Sequence, residues 1–296
     1  VNGKKVANHL GGYTSFGADI TSALRPKGPQ EIIVAVHAPV DGANVMVGKQ
    51  RLKPEGIFYT AASGIWQSVW LEPVPATSLA QLTFTPARSL DAFTVTPKLQ
   101  GSDGNATLHV TAYADGKAVG EASGPADEPL HLAIAHPHLW SPQDPFLYTF
   151  KASLVQGDQH DDVTSYAGLR SIGIEKVGGL NRIVLNGTPT FLLATLDQGY
   201  WPDGIYTAPT DAALKFDIQK TKDLGFNTIR KHIKVEPARW YYWADHIGLM
   251  VWQDMPSVPT GRNDKLSDAD KARFRRDVTA IVEQLKGETS IIGWIP

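Results

Sequence analysis

The chain has no cysteine among its 296 residues. That excludes thiol catalysis, a Cys-ligated zinc site and a disulfide scaffold, and leaves the compartment open. An excess of charge is missing as well: 28 Lys plus Arg stand against 30 Asp plus Glu, a formal net charge of −2, and neither sign gathers into a block. Without a basic footprint there is no counterion release to drive nucleic-acid binding, so no nucleic-acid partner is expected. Apolar runs are short, as in Ile32 to Ala35, far below the roughly 20 residues that span a bilayer. No membrane partner is expected. A Gly-rich phosphate loop of the GxGxxG or Walker kind is also absent after every predicted strand.

What is present divides the chain in two. The 27 Gly and 20 Pro lie mostly before residue 210, and that half carries turn chemistry every ten or so residues, the rhythm of sandwich domains. Leu108, Val110, Ala112 and Ala114 alternate with polar neighbours up to the hairpin turn Asp115-Gly116, and Tyr148, Phe150, Ala152 and Leu154 alternate up to Gly157-Asp158. Both predict half-buried antiparallel strands.

From about Thr210 the period changes to roughly 3.6 residues. Thr210 can cap a helix carrying Leu214, Ile218, Thr221 and Leu224 and closed by Gly225; Pro237 fits the first position of a second, with Trp240, Ala244 and Ile247 on one side; Phe274, Val278, Ile281, Val282 and Leu285 mark a third. Between them run apolar segments at Phe191 to Leu193, Phe226 to Arg230, Leu249 to Trp252 and Ile291 to Ile295. Strand alternating with helix predicts a parallel sheet with right-handed crossovers, either doubly wound or the first half of a (β/α) barrel. The chain begins Val1-Asn2-Gly3 without Met and closes on an apolar run before Pro296, so it is expected to be a piece of a longer protein.

In either parallel architecture ligands sit at the C-terminal edge of the strands. That edge is predicted to carry Asp197, Gln198, Tyr200 and Trp201, then Arg230, Lys231, His232 and Lys234, then Gln253 and Asp254. Trp240 and Trp243 read as core, whereas Trp201, in a loop with Gly199, Pro202, Asp203 and Gly204, is a candidate to stack on a ligand. His9, His37, His109 and His131 read as surface or satisfied core residues, and His136-Pro137-His138 as a turn rather than a metal site.

GGYTSFGADIT at 11–21, SGIWQSVWLEPV at 63–74, LWSPQDPFLYTF at 139–150, GLRSIGI at 168–174, RIVLNGTPTFLLATLDQGYWPDG at 182–204 and FNTIRKHIKVEPARWYYWADHIGLMVWQDMPS at 226–257 resemble, in order and spacing, successive landmarks of glycoside hydrolase family 2. The resemblance implies a multidomain β plus α/β chain. Residues 1–75 would be the latter part of a jelly-roll sugar-binding domain, 76–172 an immunoglobulin-like β-sandwich, and 173–296 the first half of a (β/α)8 TIM barrel. It implies a retaining β-glycosidase, with a saccharide as partner and homo-oligomers common among members; a non-catalytic carbohydrate-binding protein is the alternative.

The family's acid/base Glu follows the fourth barrel strand in an Asn-Glu pair, and its nucleophile Glu comes later still. The resemblance therefore implies that neither is in this chain and that the chain alone is inert. It implies supporting roles for the residues present. Arg230 matches the arginine that holds the nucleophile carboxylate, and Asp197 a polar residue that contacts sugar hydroxyls. His232 lies one position before the place of a family His, which Ile233 occupies here. Asp254 falls near a carboxylate that some members use as a Mg ligand, but the WQDMP pattern does not support a metal, and no cofactor is expected. The segment GIFYTAASG at 56–64 matches a loop sent toward the active site, without the acidic residue that β-galactosidases place there.

Overall fold

The computed structural model describes residues 1–101, 104–259 and 266–296. Within residues 1–75 regular structure is sparse: short 3-10 turns at Thr21–Ala23 and Val40–Gly42, and a parallel pair of two-residue strands, β1 (Gln50–Arg51) and β2 (Tyr59–Thr60). The sheets expected of a jelly roll are not formed by residues 1–75. Their apolar segments, Ile32 to Val34 and Val69 to Leu71, are exposed. With no opposing apolar face to bury these side chains, extended backbone gains too little to hold a ladder.

The next seven strands are β3 (Ser78–Pro86), β4 (Ala92–Gln100), β5 (Thr107–Ala114), β6 (Lys117–Pro125), β7 (Leu130–Ala133), β8 (Tyr148–Gln156) and β9 (Gln159–Ala167). They form two antiparallel sheets, ordered β3-β4-β7 and β6-β5-β8-β9. Phe84, Phe93, Val95, Leu132 and the alternating residues of β5 and β8 fill the space between them, with the Phe84 and Phe150 rings stacked 4.0 Å apart. The period-two pattern places those side chains inside and their neighbours in water.

A meander of β10 (Ile172–Val177), β11 (Leu180–Leu185) and β12 (Thr188–Pro189) leads into four parallel strands: β13 (Ala194–Asp197), β14 (Thr228–Lys231), β15 (Met250–Asp254) and β16 (Ile291–Ile295). Three helices connect them, α1 (Asp211–Asp223), α2 (Ala238–Ile247) and α3 (Asp268–Leu285). The first strand lies after the predicted Phe191 to Leu193, of which Phe191 and Leu193 are exposed. Asn227 explains the shift: its side chain caps the strand's start, accepting from Leu193 N and donating to Phe191 O. Pro237 is the N-cap of α2 rather than its first helical residue, with extended backbone at ψ 153°.

The strand order is β13-β14-β15-β16, each strand beside its sequence neighbour. With right-handed crossovers, this order puts every connecting helix on one face of the sheet. A doubly wound sheet needs a reversal of strand order, so that alternative is excluded for the described strands. Ile229, Val251, Trp240, Ala244 and Ile281 pack between sheet and helices. The sandwich is bolted to this unit through Trp140, which donates to Asp245 O at 2.8 Å, and through Arg170, which donates to Thr289 O and Ile291 O at 2.6 and 2.5 Å.

Candidate active site at the parallel-sheet edge

Side chains alternate between the faces of a strand, so Arg230 and Lys231 must point to opposite sides of β14. The helix-facing side takes Lys231. It is fully buried, with Nζ 4.4 Å from the Trp240 ring, 2.7 Å from Asp197 Oδ2 and 2.7 Å from Glu236 Oε1. Glu236 Oε1 also meets Lys234 Nζ at 3.1 Å, and Lys234 donates to Gly199 O and Tyr206 O. Burial alone would depress the Lys231 ammonium, but Asp197 and Glu236 outweigh it and hold its pKa above the ordinary value. For Lys234 burial wins and the pKa is lowered. Two buried cations and two carboxylates thus stitch the loop after β13 to the loop after β14.

The other face gathers the second cluster. Arg230 Nε lies 3.0 Å from Asp254 Oδ1 and Nη2 3.0 Å from Oδ2, a two-pronged grip, and His232 Nδ1 lies 2.6 Å from the same Oδ2. Asp254 is 2% exposed, while Arg230 is 39% and His232 20% exposed. The carboxylate is therefore the buried anchor, and the two bases are the groups that reach toward solvent. The hydrogen bonds to Asp254 raise the Arg230 pKa and keep it a permanent cation. Asp254 is a poor Mg ligand in this arrangement, because both oxygens are taken by a guanidinium that would repel a divalent ion.

Three of the five predicted site residues, Arg230, His232 and Asp254, thus come together. Asp197 does not join them. It lies on the helix-facing side, with Oδ1 accepting from Gly199 N at 2.8 Å and Oδ2 from Lys231. Trp201 packs at the margin of the helix-side core, and its Nε1, like Tyr200 OH and Gln198 Oε1 beside it, is buried with no hydrogen-bond partner. In the sequence, Glu236 has no predicted part in the site and Lys231 only a place at the edge. The adjacency of two cations at a strand end is the signal that one must turn inward and find acids.

The first 75 residues reach this edge despite their lack of sheets. Tyr59, from the predicted loop 56–64, stacks on Tyr200 at 3.8 Å, and Tyr13 shares a 2.7 Å hydrogen bond with Tyr206, burial pushing the Tyr13 hydroxyl up to about 12. Val47 N and Gly48 N both donate to Ser257 O. A Cβ on Gly48 would lie 2.5 Å from Ile233 O. Ile233 itself has φ 46°, a left-handed conformation that strains a β-branched residue. The strained turn aims His232 and Lys234 to the two sides of the edge.

The family model for glycosyl hydrolases family 2 matches residues 68–170. A beta-glucuronidase of Bacteroides fragilis is 25% identical over 320 aligned residues, which take in 99% of this chain and 44% of the relative. A beta-galactosidase of Lactococcus lactis is 28% identical over 197 residues, 65% of this chain and 19% of the relative. Among solved structures, a beta-glycosidase from Bacteroides vulgatus superposes with a TM-score of 0.67 at 23% identity, covering 81% of this chain and 32% of its own. The chain therefore spans less than half the length of these relatives. The match to glycosyl hydrolases family 2 thus covers the sandwich, and the similarity to the beta-glucuronidase runs along nearly the whole chain, that to the beta-galactosidase along 65% of it.

Proposed function

We propose that this chain is the supporting part of a retaining β-glycosidase acting on terminal β-linked sugars. In this reading the two β-sheets are an immunoglobulin-like sandwich, the four parallel strands are the first half of a (β/α)8 barrel, and residues 1–75 belong to a jelly-roll domain. The observation that carries it is the Arg230–His232–Asp254 cluster at the C-terminal edge of a parallel sheet in sequential order, where barrel enzymes assemble their sites.

Retention needs two carboxyl groups about 5 to 5.5 Å apart. One protonates the departing oxygen; the other attacks the anomeric carbon, and water then displaces it with the first group acting as base. The carboxylates that the described residues bring to this edge, Asp197, Glu236 and Asp254, are each held by a cation. Their oxygens are already engaged by protein donors rather than presented to a substrate. The proposal therefore assigns both reacting carboxylates to glutamates outside these 296 residues, and it assigns Arg230 to hold one of them through Nη1, which is free among the described residues.

The test is to express the complete gene and offer aryl β-galactoside, β-glucuronide, β-mannoside and β-glucoside. Hydrolysis of at least one, with the β-anomer appearing first by proton NMR, is the expected result. No hydrolysis of any contradicts the proposal, and sugar binding without turnover would favour the carbohydrate-binding alternative.

A further inference from the structure

Among the described residues, the His232 ring has one nitrogen bound and one free. Nδ1 sits 2.6 Å from Asp254 Oδ2, the oxygen that also takes Arg230 Nη2 at 3.0 Å. A carboxylate gripped by a guanidinium can only accept, so Nδ1 must carry the proton, and Nε2 of the neutral ring then presents a lone pair. Arg230, held on the same Asp254 carboxylate, carries two N–H groups on Nη1 that no described residue uses, so one remains for a sugar hydroxyl when the other holds the catalytic carboxylate of the proposed function. An acceptor and a donor anchored on one buried carboxylate match a group that donates and accepts at once. A hydroxyl does both; a carboxylate only accepts, and a metal ion would be repelled by the guanidinium.

We propose that His232 is a specificity-determining residue that accepts a hydrogen bond from a sugar hydroxyl through Nε2, with Asp254 as the positioning residue that sets its tautomer. The proposal rests on the saccharide-site reading above and adds to it a demand: the subsite beside Arg230 takes a neutral hydroxyl rather than a uronate carboxylate. The geometry is held from three directions. Asp254 comes from β15, the backbone N of His232 donates to Asp197 O on β13 at 2.8 Å, and the following residue is locked in the left-handed region against Gly48. A strained turn immediately after a half-buried ring is retained only where the surrounding structure holds it, which is the setting of ligand clamps.

The test uses the complete gene product labelled with ¹⁵N-histidine, with the His232 signals assigned from a His232→Gln spectrum. Long-range proton–nitrogen correlations should show Nδ1 protonated and Nε2 bare. Titration with galactose, glucose or mannose should move the Nε2 resonance, and titration with glucuronate should move it less. Asp254→Asn should redistribute the tautomer and weaken the Nε2 response to added sugar, which a merely structural histidine would not show. In the complete gene product, His232→Phe should raise KM about tenfold, the value of one hydrogen bond, and His232→Gln, which keeps an acceptor, should recover most of that.

If a sugar perturbs tryptophan indole signals but leaves His232 unmoved, the proposal is overturned while the saccharide site stands. If glucuronate alone moves it, with Nε2 becoming protonated, the subsite is for a carboxylate and the proposal is overturned. If no sugar perturbs any signal, the saccharide reading fails and takes the proposal with it.

Discussion

The β-sandwich and the edge of the parallel sheet both bury their side chains, by opposite means. The sandwich interior is apolar throughout, built from Phe84, Phe93, Phe150, Leu108, Leu132 and Leu154, each contributing about 1.5–3 kcal/mol from area removed from water. The edge buries Lys231, Lys234, Glu236 and Asp254 at 3% exposure or less, groups whose desolvation costs several kcal/mol per ion before pairing returns it. A region assembled for stability alone would not spend burial on ions that hydrophobic side chains could replace. In the proposed function the sandwich is scaffold and the edge the working face, and the contrast supports that reading.

That contrast can be tested by breaking each region in turn. Phe150→Ala should destabilise the chain by about 3–5 kcal/mol through a cavity in a packed core, and the loss should be independent of pH. Lys231→Met should cost a comparable amount, about 3 kcal/mol, because part-buried Asp197 loses its cation and buried Glu236 keeps only Lys234. The pairing holds the Lys231 pKa above its ordinary value, so its contribution is full below the ordinary value and is lost as pH rises through the raised one; here the loss should shrink in strongly alkaline solution. Denaturant melts of both variants at several pH values read the difference; parallel pH curves would mean that the edge is held by packing and not by charge.

The junction between the two regions sharpens the comparison at smaller scale. Burial raises the Asp245 carboxyl to about 6, against the hydrogen bonds it accepts from Ser290 and Thr289 and the nearby Arg170. Burial and the proximity of Asp245 also push Glu288 up, and Tyr166 is raised by burial and by both acids. The folded state thus binds a proton more tightly than the unfolded chain does. Stability from this group is greatest below about pH 4 and declines as pH rises toward 6, by on the order of 2 kcal/mol. Asp245→Asn should remove that slope from the denaturation midpoint between pH 4 and 7; an unchanged slope would show that the junction does not titrate. Smaller again, Gly48→Ala should cost about 1–2 kcal/mol, since φ is 61° and the new methyl meets Ile233 O. It should also disturb the His232 resonance more than the signals of the sandwich histidines His109 and His131.

How far the sequence was readable follows the same division. In β5 and β8 the alternation predicted the strands and their inward residues, because an apolar interior writes itself as periodicity. The helices of the second half were legible from spacing and caps, with Thr210 accepting from Ala213 N as its position implied. Strand boundaries were less so: capping by Asn227 fixed the start of β13, and a side-chain cap leaves no period. Arg230, His232 and Asp254 could each be placed at the edge, but not on one face, since the pairing register comes from tertiary contacts. Lys231 and Glu236 stayed hidden because their partnership joins a strand to the loop beyond it. Among the described residues of 1–75 the strand pairing is limited to β1 with β2, so the jelly-roll reading of that stretch rests on the resemblance alone.

The most direct measurement of the central claim is kcat/KM of Arg230→Lys in the complete gene product on the best aryl β-glycoside, with thermal stability recorded beside it. Lysine keeps the charge and loses the fork that grips Asp254 and leaves Nη1 for a second carboxylate. The account predicts a loss of about 100-fold or more in kcat/KM, carried mainly by kcat, with a melting temperature within a few degrees of the parent. Full activity, or a loss that merely tracks unfolding, would contradict the assignment of this edge to catalysis.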